Sequence, residues 1–473
     1  MKLCISLSPS TTEEAIEKIQ YASQYNSLIE LRIDGMKEIN LPRIFEQTQQ
    51  KIIITNRTAR EGGKFSGTLD EYEQLFFEAI ECGAAYIDIE FAFGKNFFQK
   101  INSRKKKTKI ILSHHNVQKT PASLLSTYNT MKLFGADVMK IVSLANSIAD
   151  NKIIFDILHT ARLERQKLIS FCMGECGHVS RILAGKYGSH LLFAPLNEKE
   201  ITAPGQLPFT KLYEVFRADK INKTTKVFGL IGNPVSQSKG IYFHNEIFSR
   251  KKMNAVYVNF LVHDLDLFFN SYSEEFMGAS VTMPFKEKII PYLDTVDDVC
   301  LNIGSVNTIL RKKNKFFGYN TDYTAIYSLL RSRTSLKGKK IIVLGTGGVA
   351  KTMAHIGVSN NAALTILGRN IIEEAEQLSS ELHCRFDALD NIHNYQSDII
   401  MNGTSVGMET NEVKNILPNN FLKKNMVVVE AVYSPELTPL VIAAKEKGCK
   451  VITGKEIFEM QAKLQSQLFL EIL

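Results

Sequence analysis

The 473-residue chain has little of several things, and each shortage narrows what it can be. Seven cysteines form an odd, sparse set, which argues against a disulfide framework and for reduced thiols in a cytoplasm. No apolar run reaches the roughly 20 residues needed to span a membrane. The N-terminus, Met-Lys-Leu-Cys-Ile-Ser-Leu-Ser-Pro, has the pattern and length of a strand, so no signal or transit segment is expected ahead of it. A concentrated basic patch is also missing. The formal net charge of +8 is spread over small clusters such as Arg104 to Lys107 and Lys337 to Lys340, which suits a solvated surface or anionic metabolites better than nucleic acid.

Hydrophobic content of 44% and charged content of 22% are those of a globular protein, and 473 residues exceed one ordinary core. Short apolar strands recur at Leu3–Leu7, Leu28–Ile33, Ile52–Thr55, Tyr86–Ile89, Ile110–Leu112, Val138–Val142, Leu168–Phe171 and Leu191–Phe193. Amphipathic helical patterns lie between most of them. This alternation predicts a parallel (β/α)8 barrel, whose active site is built at the carboxyl ends of the strands.

Those ends are polar. They carry Glu30, Arg32 and Asp34; Arg57, running into Glu61; Asp88 and Glu90; Ser113-His114-His115-Asn116; Lys140; Arg181; and Thr202-Ala-Pro-Gly-Gln206. A lysine in an apolar barrel strand either snorkels outward or points into the mouth, where its amine can form a Schiff base with a ketone. His115 on the neighbouring strand suits proton transfer; His114 is its rival, and spacing does not choose between them. The Cys172-x-x-x-Cys176-x-His178 cluster lacks a fourth metal ligand at usual spacing, so packing or loop roles are expected there and no metal.

Glu30-Leu-Arg-Ile-Asp34, Arg57-Thr-Ala-Arg-Glu61-Gly-Gly, Ser113-x-His115-x-x-x-Lys-Thr-Pro121, Lys140, Ser180-Arg181 and Ala203-Pro-Gly-Gln206 together resemble type I 3-dehydroquinate dehydratase. The resemblance covers residues 1 to about 215. It implies that Lys140 forms the imine, His115 shuttles the proton with support from Glu61, and Arg181 holds the substrate carboxylate. It further implies that Glu30, Arg32, Arg57, Thr202 and Gln206 bind hydroxyls and close the lid, with Thr202 standing where serine is common.

The polar run Arg217–Lys226 separates this series from a second one. Val227–Ile231 leads into Gly232-Asn-Pro-Val-Ser-Gln-Ser-Lys239 and a helix, where Ser236 or Ser238 suits either an anion contact or an N-cap. Further on, Lys339 to Leu344 runs straight into Gly345-Thr-Gly347-Gly348-Val349-Ala350, a loop that lets backbone approach a pyrophosphate. The following strand, Ala363–Leu367, ends in Gly368-Arg369, and an arginine there selects the 2′-phosphate of NADP over NAD.

Asn233-Pro-Val-x-x-Ser238-Lys, Val281-Thr282-Met-Pro-Phe-Lys286, Ser305-Val-Asn307-Thr308, Asn320-Thr-Asp322, the glycine loop, Asn402-x-Thr404-Ser-Val-Gly-Met408, Val432-Tyr433 and Gly454-Lys-Glu-Ile457 with Gln461 resemble shikimate dehydrogenase. Lys286 and Asp322 would be its catalytic pair. Ser238, Thr282, Asn307, Tyr433 and Gln461 would bind substrate, and Gly345, Gly347, Gly348, Val349, Ala350, Arg369 and Thr404 the cofactor. One departure stands out: Ser238-Lys-Gly240-Ile241 replaces the usual Ser-x-Ser-Pro, so a serine that commonly contacts the substrate carboxylate is missing.

The expected organisation is a dehydratase barrel (1–216), a linker (217–226), a substrate-binding domain (227–334, completed by about 455–473) and an NADP-binding Rossmann domain (335–454). The resemblances imply a bifunctional enzyme of aromatic biosynthesis with small-molecule substrates, no nucleic acid or membrane partner, and possible self-association as a homodimer. Two alternatives remain open on the residues: a barrel acting as a Schiff-base aldolase, or one half reduced to a scaffold.

Overall fold

The computed structural model describes residues 1–473 except 26, 202–204, 370, 371, 409–415 and 419. It divides into two compact units, Met1–Glu275 and Phe276–Leu473. Among the described residues no helix is long and apolar enough to cross a membrane.

The first unit opens with eight parallel strands: β1 (Lys2–Leu7), β2 (Leu28–Arg32), β3 (Ile52–Thr55), β4 (Tyr86–Glu90), β5 (Lys109–Asn116), β6 (Val138–Leu144), β7 (Leu168–Met173) and β8 (Leu191–Pro195). They are ordered β7-β6-β5-β4-β3-β2-β1-β8. This is the expected barrel, with one seam. β7 and β8 share no ladder, and the ring is closed beside them by the backbone bond His190 N→Leu168 O at 2.8 Å. Strands buried on both faces read as continuous apolar runs, as in the fully buried Ile52-Ile53-Ile54.

Helices between the strands start where the chemistry of their first turns dictates. Thr11 caps Thr12–Ser23 by accepting from Glu14 N, and Thr68 forms a reciprocal capping box with Glu71 ahead of Leu69–Glu81. The helices His178–Tyr187 and Asp150–Leu163 flank β7.

The charged stretch 217–226 is packed. Ala218, Ile221 and Thr225 are buried, and Lys186 donates to Thr225 O at 3.0 Å. After it come β9 (Lys226–Gly232) and β10 (Ala255–Leu261), a parallel pair joined through the helix Gly240–Arg250, and then the helix Leu265–Tyr272.

The second unit begins with β11 (Gly278–Val281), β12 (Thr295–Val296), β13 (Thr308–Lys312) and β14 (Lys315–Tyr319). β13 and β14 form a two-residue hairpin in which Lys313 (φ 50°) and Asn314 (φ 63°) take the left-handed conformation that such tight turns need. A parallel sheet follows, made of β15 (Lys340–Leu344), β16 (Ala363–Gly368), β17 (Arg385–Ala388), β18 (Ile399–Asn402), β19 (Val427–Glu430) and β20 (Lys450–Ile452). Its order, β17-β16-β15-β18-β19-β20, is that of a doubly wound dinucleotide fold. Alternation along β15 feeds two cores: Ile341 and Val343 enter one, Ile342 and Leu344 the other. The last helix, Gly454–Leu470, returns to β13, where Gln465 Nε2 donates to Asn307 O (3.1 Å) and Thr308 Oγ1 (2.9 Å).

Candidate active sites

At the barrel's carboxyl end the strand pleat sorts the polar side chains. Ser113 on β5 pairs in register with Lys140 on β6, so His115, two residues on, shares their face while His114 takes the opposite one. Lys140 is 5% exposed; its Nζ lies 3.1 Å from Asp88 Oδ2 and 3.5 Å from Glu30 Oε1, over the Phe193 ring at 4.0 Å. Glu30 in turn accepts from Ser6 Oγ (2.5 Å) and Thr55 Oγ1 (2.9 Å).

Arg57 ties the cluster together. Its guanidinium reaches Asp88 at 2.7 Å, Ser113 Oγ at 2.8 Å, and Glu61 and Glu90 at 3.3 Å each. Burial works against its charge, but Asp88, Glu61 and Glu90 outweigh that and hold its pKa above the ordinary value. Burial would likewise raise Asp88, yet Arg57 and Lys140 bring it down to about 2. Glu61 goes the other way. Burial, with Glu90 and Asp88 close by, pushes it up to about 8 against the pull of Arg57.

Glu61 Oε2 meets His115 Nδ1 at 2.8 Å and accepts from His115 N at 3.2 Å. Burial, reinforced by Arg57, Lys140 and Arg32, holds His115 well below its ordinary pKa, so the imidazole is neutral at pH 7 and free to accept a proton. His114 stands 3.9 Å from Glu61 Oε1 and presents its ring to Phe91.

Arg181, on the helix His178–Tyr187 after β7, is a buried cation. It is 2% exposed, stacked over Phe171 at 4.3 Å, and has no hydrogen bond or ion pair among the described residues. Burial lowers it to about 10. A buried guanidinium without a carboxylate is costly, and a bound carboxylate would repay that cost. Arg32, by contrast, is held bidentately by Asp34 at 2.6 and 2.7 Å. Gln206 follows Gly205, whose left-handed backbone packs so closely on Gly174 that an added Cβ would lie 2.2 Å from Gly174 O. Thr202 lies outside the described residues. Cys172 exchanges sulfur contacts with Thr120 (3.6 Å) and Ser143 (3.7 Å), and burial pushes its thiol up to about 11. Among the described residues no group of three potential ligands could hold a metal ion.

The second unit brings Lys286 and Asp322 together at 2.6 Å. Lys286 sits on the turn after β11, and Asp322 in the first turn of the helix Thr321–Arg333, which Asn320 caps by accepting from Tyr323 N. Asn307 helps fix that helix start: its side chain accepts from Thr321 N (2.8 Å) and donates to Thr321 Oγ1 (3.0 Å). Thr321 Oγ1 also reaches Gln461 Oε1 at 3.4 Å, and Tyr433 stacks on Phe458. Thr282 is half-buried and accepts from Phe285 N through its carbonyl. In the first unit, Ser238 Oγ accepts from Gly240 N at 3.2 Å.

The glycine loop shows why side chains are excluded from it. Gly345 has φ 100°, and a Cβ there would lie 2.8 Å from Thr404 Cγ2. A Cβ on Gly403 would strike Ala350 at 2.7 Å, and one on Gly348 would crowd Lys286 Cδ at 3.4 Å. The helix Gly348–Ser359, which begins with Gly348, Val349 and Ala350, starts from Gly347 without a side-chain cap, leaving its amides for an anion. A cavity of about 310 Å³ beside it is lined by Gly345, Thr346, Arg369 and Thr404 among others. Arg369 is exposed at the end of β16. These residues fit a dinucleotide with a phosphate near Arg369.

Some contributors carried no readable role in the sequence. Phe193 and Phe171 face Lys140 and Arg181, but an aromatic in a strand reads as core. Glu430, fully buried at the end of β19, accepts from Asn402 Nδ2 (2.9 Å), Val432 N (2.9 Å) and Thr438 Oγ1 (2.9 Å), and burial pushes it up to about 7. Asn402 Oδ1 accepts from Thr404 N at 3.0 Å, so Glu430 steadies the loop that carries Thr404 from behind. A glutamate ending a strand was the only available signal.

Fold and sites therefore define a lysine-centred barrel enzyme joined in one chain to a dinucleotide-dependent oxidoreductase. Residues 3–223 match the family described as type I 3-dehydroquinase, and residues 230–309 the shikimate dehydrogenase substrate binding domain. The chain is 35% identical over 469 residues to the chloroplastic bifunctional 3-dehydroquinate dehydratase/shikimate dehydrogenase of Arabidopsis thaliana, covering 93% of this chain and 77% of that protein. It is 28% identical to the shikimate biosynthesis protein AroDE of Chlamydia pneumoniae, covering 99% and 95%. Over 238 residues it is 40% identical to the shikimate dehydrogenase (NADP(+)) of Pyrococcus furiosus, covering 50% and 86%. The chain belongs to the bifunctional 3-dehydroquinate dehydratase/shikimate dehydrogenase family.

Proposed function

We propose that the barrel dehydrates 3-dehydroquinate to 3-dehydroshikimate through an imine on Lys140, and that the second half reduces that product to shikimate with NADPH. The observation that carries the first reaction is the buried Lys140 sharing a face with the Glu61–His115 pair. Lys140 passes a proton to a neighbouring carboxylate, attacks the ketone, and forms the imine as water leaves. The imine draws electrons from the adjacent carbon, whose proton passes to neutral His115. The imidazolium then protonates the departing β-hydroxyl, and hydrolysis of the imine releases the alkene product. Glu61 holds the ring in place, Arg181 takes the carboxylate, and Glu30, Arg32, Arg57, Thr202 and Gln206 take hydroxyls and the lid.

In the second reaction NADPH supplies the hydride. Lys286 delivers a proton to the carbonyl oxygen of 3-dehydroshikimate, and Asp322 fixes the ammonium and accepts a substrate hydroxyl. Ser238, Thr282, Asn307, Tyr433 and Gln461 complete substrate binding. Gly345, Gly347, Gly348, Val349, Ala350 and Thr404 cradle the cofactor, and Arg369 takes its 2′-phosphate.

Borohydride with 3-dehydroquinate should leave a reduced adduct on the Lys140 peptide, and its absence would sink the first assignment. Oxidation of NADPH on adding 3-dehydroshikimate should vanish in Lys286→Ala; activity persisting there would refute the second.

The domain boundaries that go with this reading are 1–216, 217–226, 227–334 with 455–473, and 335–454. A cytoplasmic location belongs to it as well, supported by seven unpaired thiols. A homodimeric state is its last part, to be tested by light scattering.

A further inference from the structure

The carboxyl-end loops of the barrel are touched by a segment that, by family match, belongs to the dehydrogenase half. Tyr272, the last residue of the helix Leu265–Tyr272, is 1% exposed and donates from its hydroxyl to Ile148 O at 3.1 Å. Ile148 lies in the loop after β6, on the same end of the barrel as Lys140's neighbours. Its carbonyl also accepts from Asn151 Nδ2 at 2.9 Å, and the same amide donates to Cys176 O at 2.8 Å. Asn151 is fully buried, so it locks the loop after β6 to the loop after β7.

The second of these loops sets the carboxylate-binding arginine. Gly177 O accepts from Ser180 Oγ at 2.9 Å, and Ser180 Oγ accepts from Cys172 N at 2.8 Å. Arg181 is the next residue. At the loop's other end, Gly174 is the floor on which Gly205 of the lid rests. β10 packs on the 175–177 turn as well. Around the hydroxyl, the Tyr272 ring meets Phe155 edge-on at 6.3 Å, Phe155 stacks on Tyr187 at 3.9 Å, and Tyr187 donates to Glu275. One carbonyl, Ile148 O, thus receives a donor from each half of the fusion.

We infer that Tyr272 is a positioning residue for the dehydratase: through Ile148, Asn151 and the 174–177 turn, the dehydrogenase half holds Arg181 at the angle that receives the substrate carboxylate. The inference rests on the carboxylate role proposed for Arg181. It makes the dehydratase site of this chain a composite, completed by residues beyond its own barrel. The expected signature is a loss in substrate capture without a loss in chemistry, because Lys140, His115 and Glu61 sit on strands and turns that Tyr272 does not touch.

The test uses the full-length chain with Tyr272→Phe, which removes one hydroxyl and keeps the ring. KM for 3-dehydroquinate should rise about 5-fold, the worth of one neutral hydrogen bond, with kcat within about twofold of wild type. Amide exchange across 174–181 should quicken. Arg181→Ala alone should raise KM by a larger factor, and the double variant should be no worse than Arg181→Ala, since both act on one contact. An unchanged KM in Tyr272→Phe, or losses that multiply in the double variant, would overturn the inference. If Arg181→Ala left KM at its wild-type value, the carboxylate role would fall instead. Exchange across 174–181 would then decide: faster in Tyr272→Phe retains the buttress, unchanged removes it.

Discussion

Two lysine–carboxylate pairs occupy the two sites, and the fold encloses them differently. Lys140 lies between Asp88 and Glu30 with its side chain 6% exposed, and Asp88 is held in turn by Arg57 and Ser113. Among the described residues Lys286 pairs with one carboxylate, Asp322 at 2.6 Å, and 16% of its side chain is exposed. The first pair belongs to a network whose members fix one another, so removing a charge there leaves others stranded in a dry interior. The second joins a turn to a helix start, and its geometry comes from backbone caps around it. Similar chemistry can thus rest on a charge lattice in one half and on local backbone architecture in the other.

The largest effect that would sharpen this contrast is catalytic. Lys140→Ala should reduce dehydratase turnover to less than about a thousandth while leaving NADPH oxidation intact, and Lys286→Ala should do the reverse. Separate assays on the same preparation check both, and loss of both activities in either variant would break the picture of independent centres. Next comes stability. Asp88→Asn should cost about 3–5 kcal/mol in the barrel's unfolding transition, because Arg57 and Lys140 lose their shared partner. Asp322→Asn should cost about 1 kcal/mol or less. Calorimetry of the two proteins compares them, and equal losses would erase the distinction between lattice and local pair.

A third prediction concerns pH. Glu61 is pushed up to about 8 in the folded chain, against an ordinary value of 4.5. The folded state therefore binds the extra proton between those values, and stability falls as pH rises through that window. Glu61→Gln should flatten that slope, which amounts to about 1.4 kcal/mol for each pH step of one across the window. Glu430→Gln should flatten a narrower window, from 4.5 to about 7. Melting temperatures followed across both windows test the two variants. The smallest effect is at Gly240, where an added Cβ would stand 3.3 Å from Ser238 Oγ and from Tyr257 Cε1. Gly240→Ser should cost about 1 kcal/mol of stability. A gain in stability would mean that the glycine is not required by packing.

Much of this was legible beforehand because strand ends expose their chemistry. Glu30, Arg57, Glu61, Lys140 and the neighbours His114 and His115 were nameable as candidates since a parallel barrel gathers the ends of its strands at one place, and the family resemblance alone preferred His115. The glycine loop and Arg369 were legible through the strand–loop–helix order around them. Other features were hidden for physical reasons. Asn307 was nameable as a candidate substrate ligand, but its part at the start of the helix Thr321–Arg333 was not, since that pair of bonds depends on a loop crossing invisible in one dimension. The run 217–226 reads as solvated because five of its ten residues are charged, but Ala218, Ile221 and Thr225 recur at three- and four-residue steps and turn inward. Tyr272 gives no sign at all, since an aromatic closing an amphipathic helix is ordinary core until its hydroxyl finds the Ile148 carbonyl.

The seam between β7 and β8 has a mechanical meaning. β8 is laddered to β1 on one side only, and the chain runs on from it to the dehydrogenase half. Any pull transmitted backward along the chain reaches β8 first, and on its free side the segment is held by His190 N→Leu168 O and Ser170 N→Ser189 Oγ, with no ladder behind them. Under load the ring should unzip there before any laddered pair yields, while β2 to β6, which carry Glu30, His115 and Lys140, stay in register.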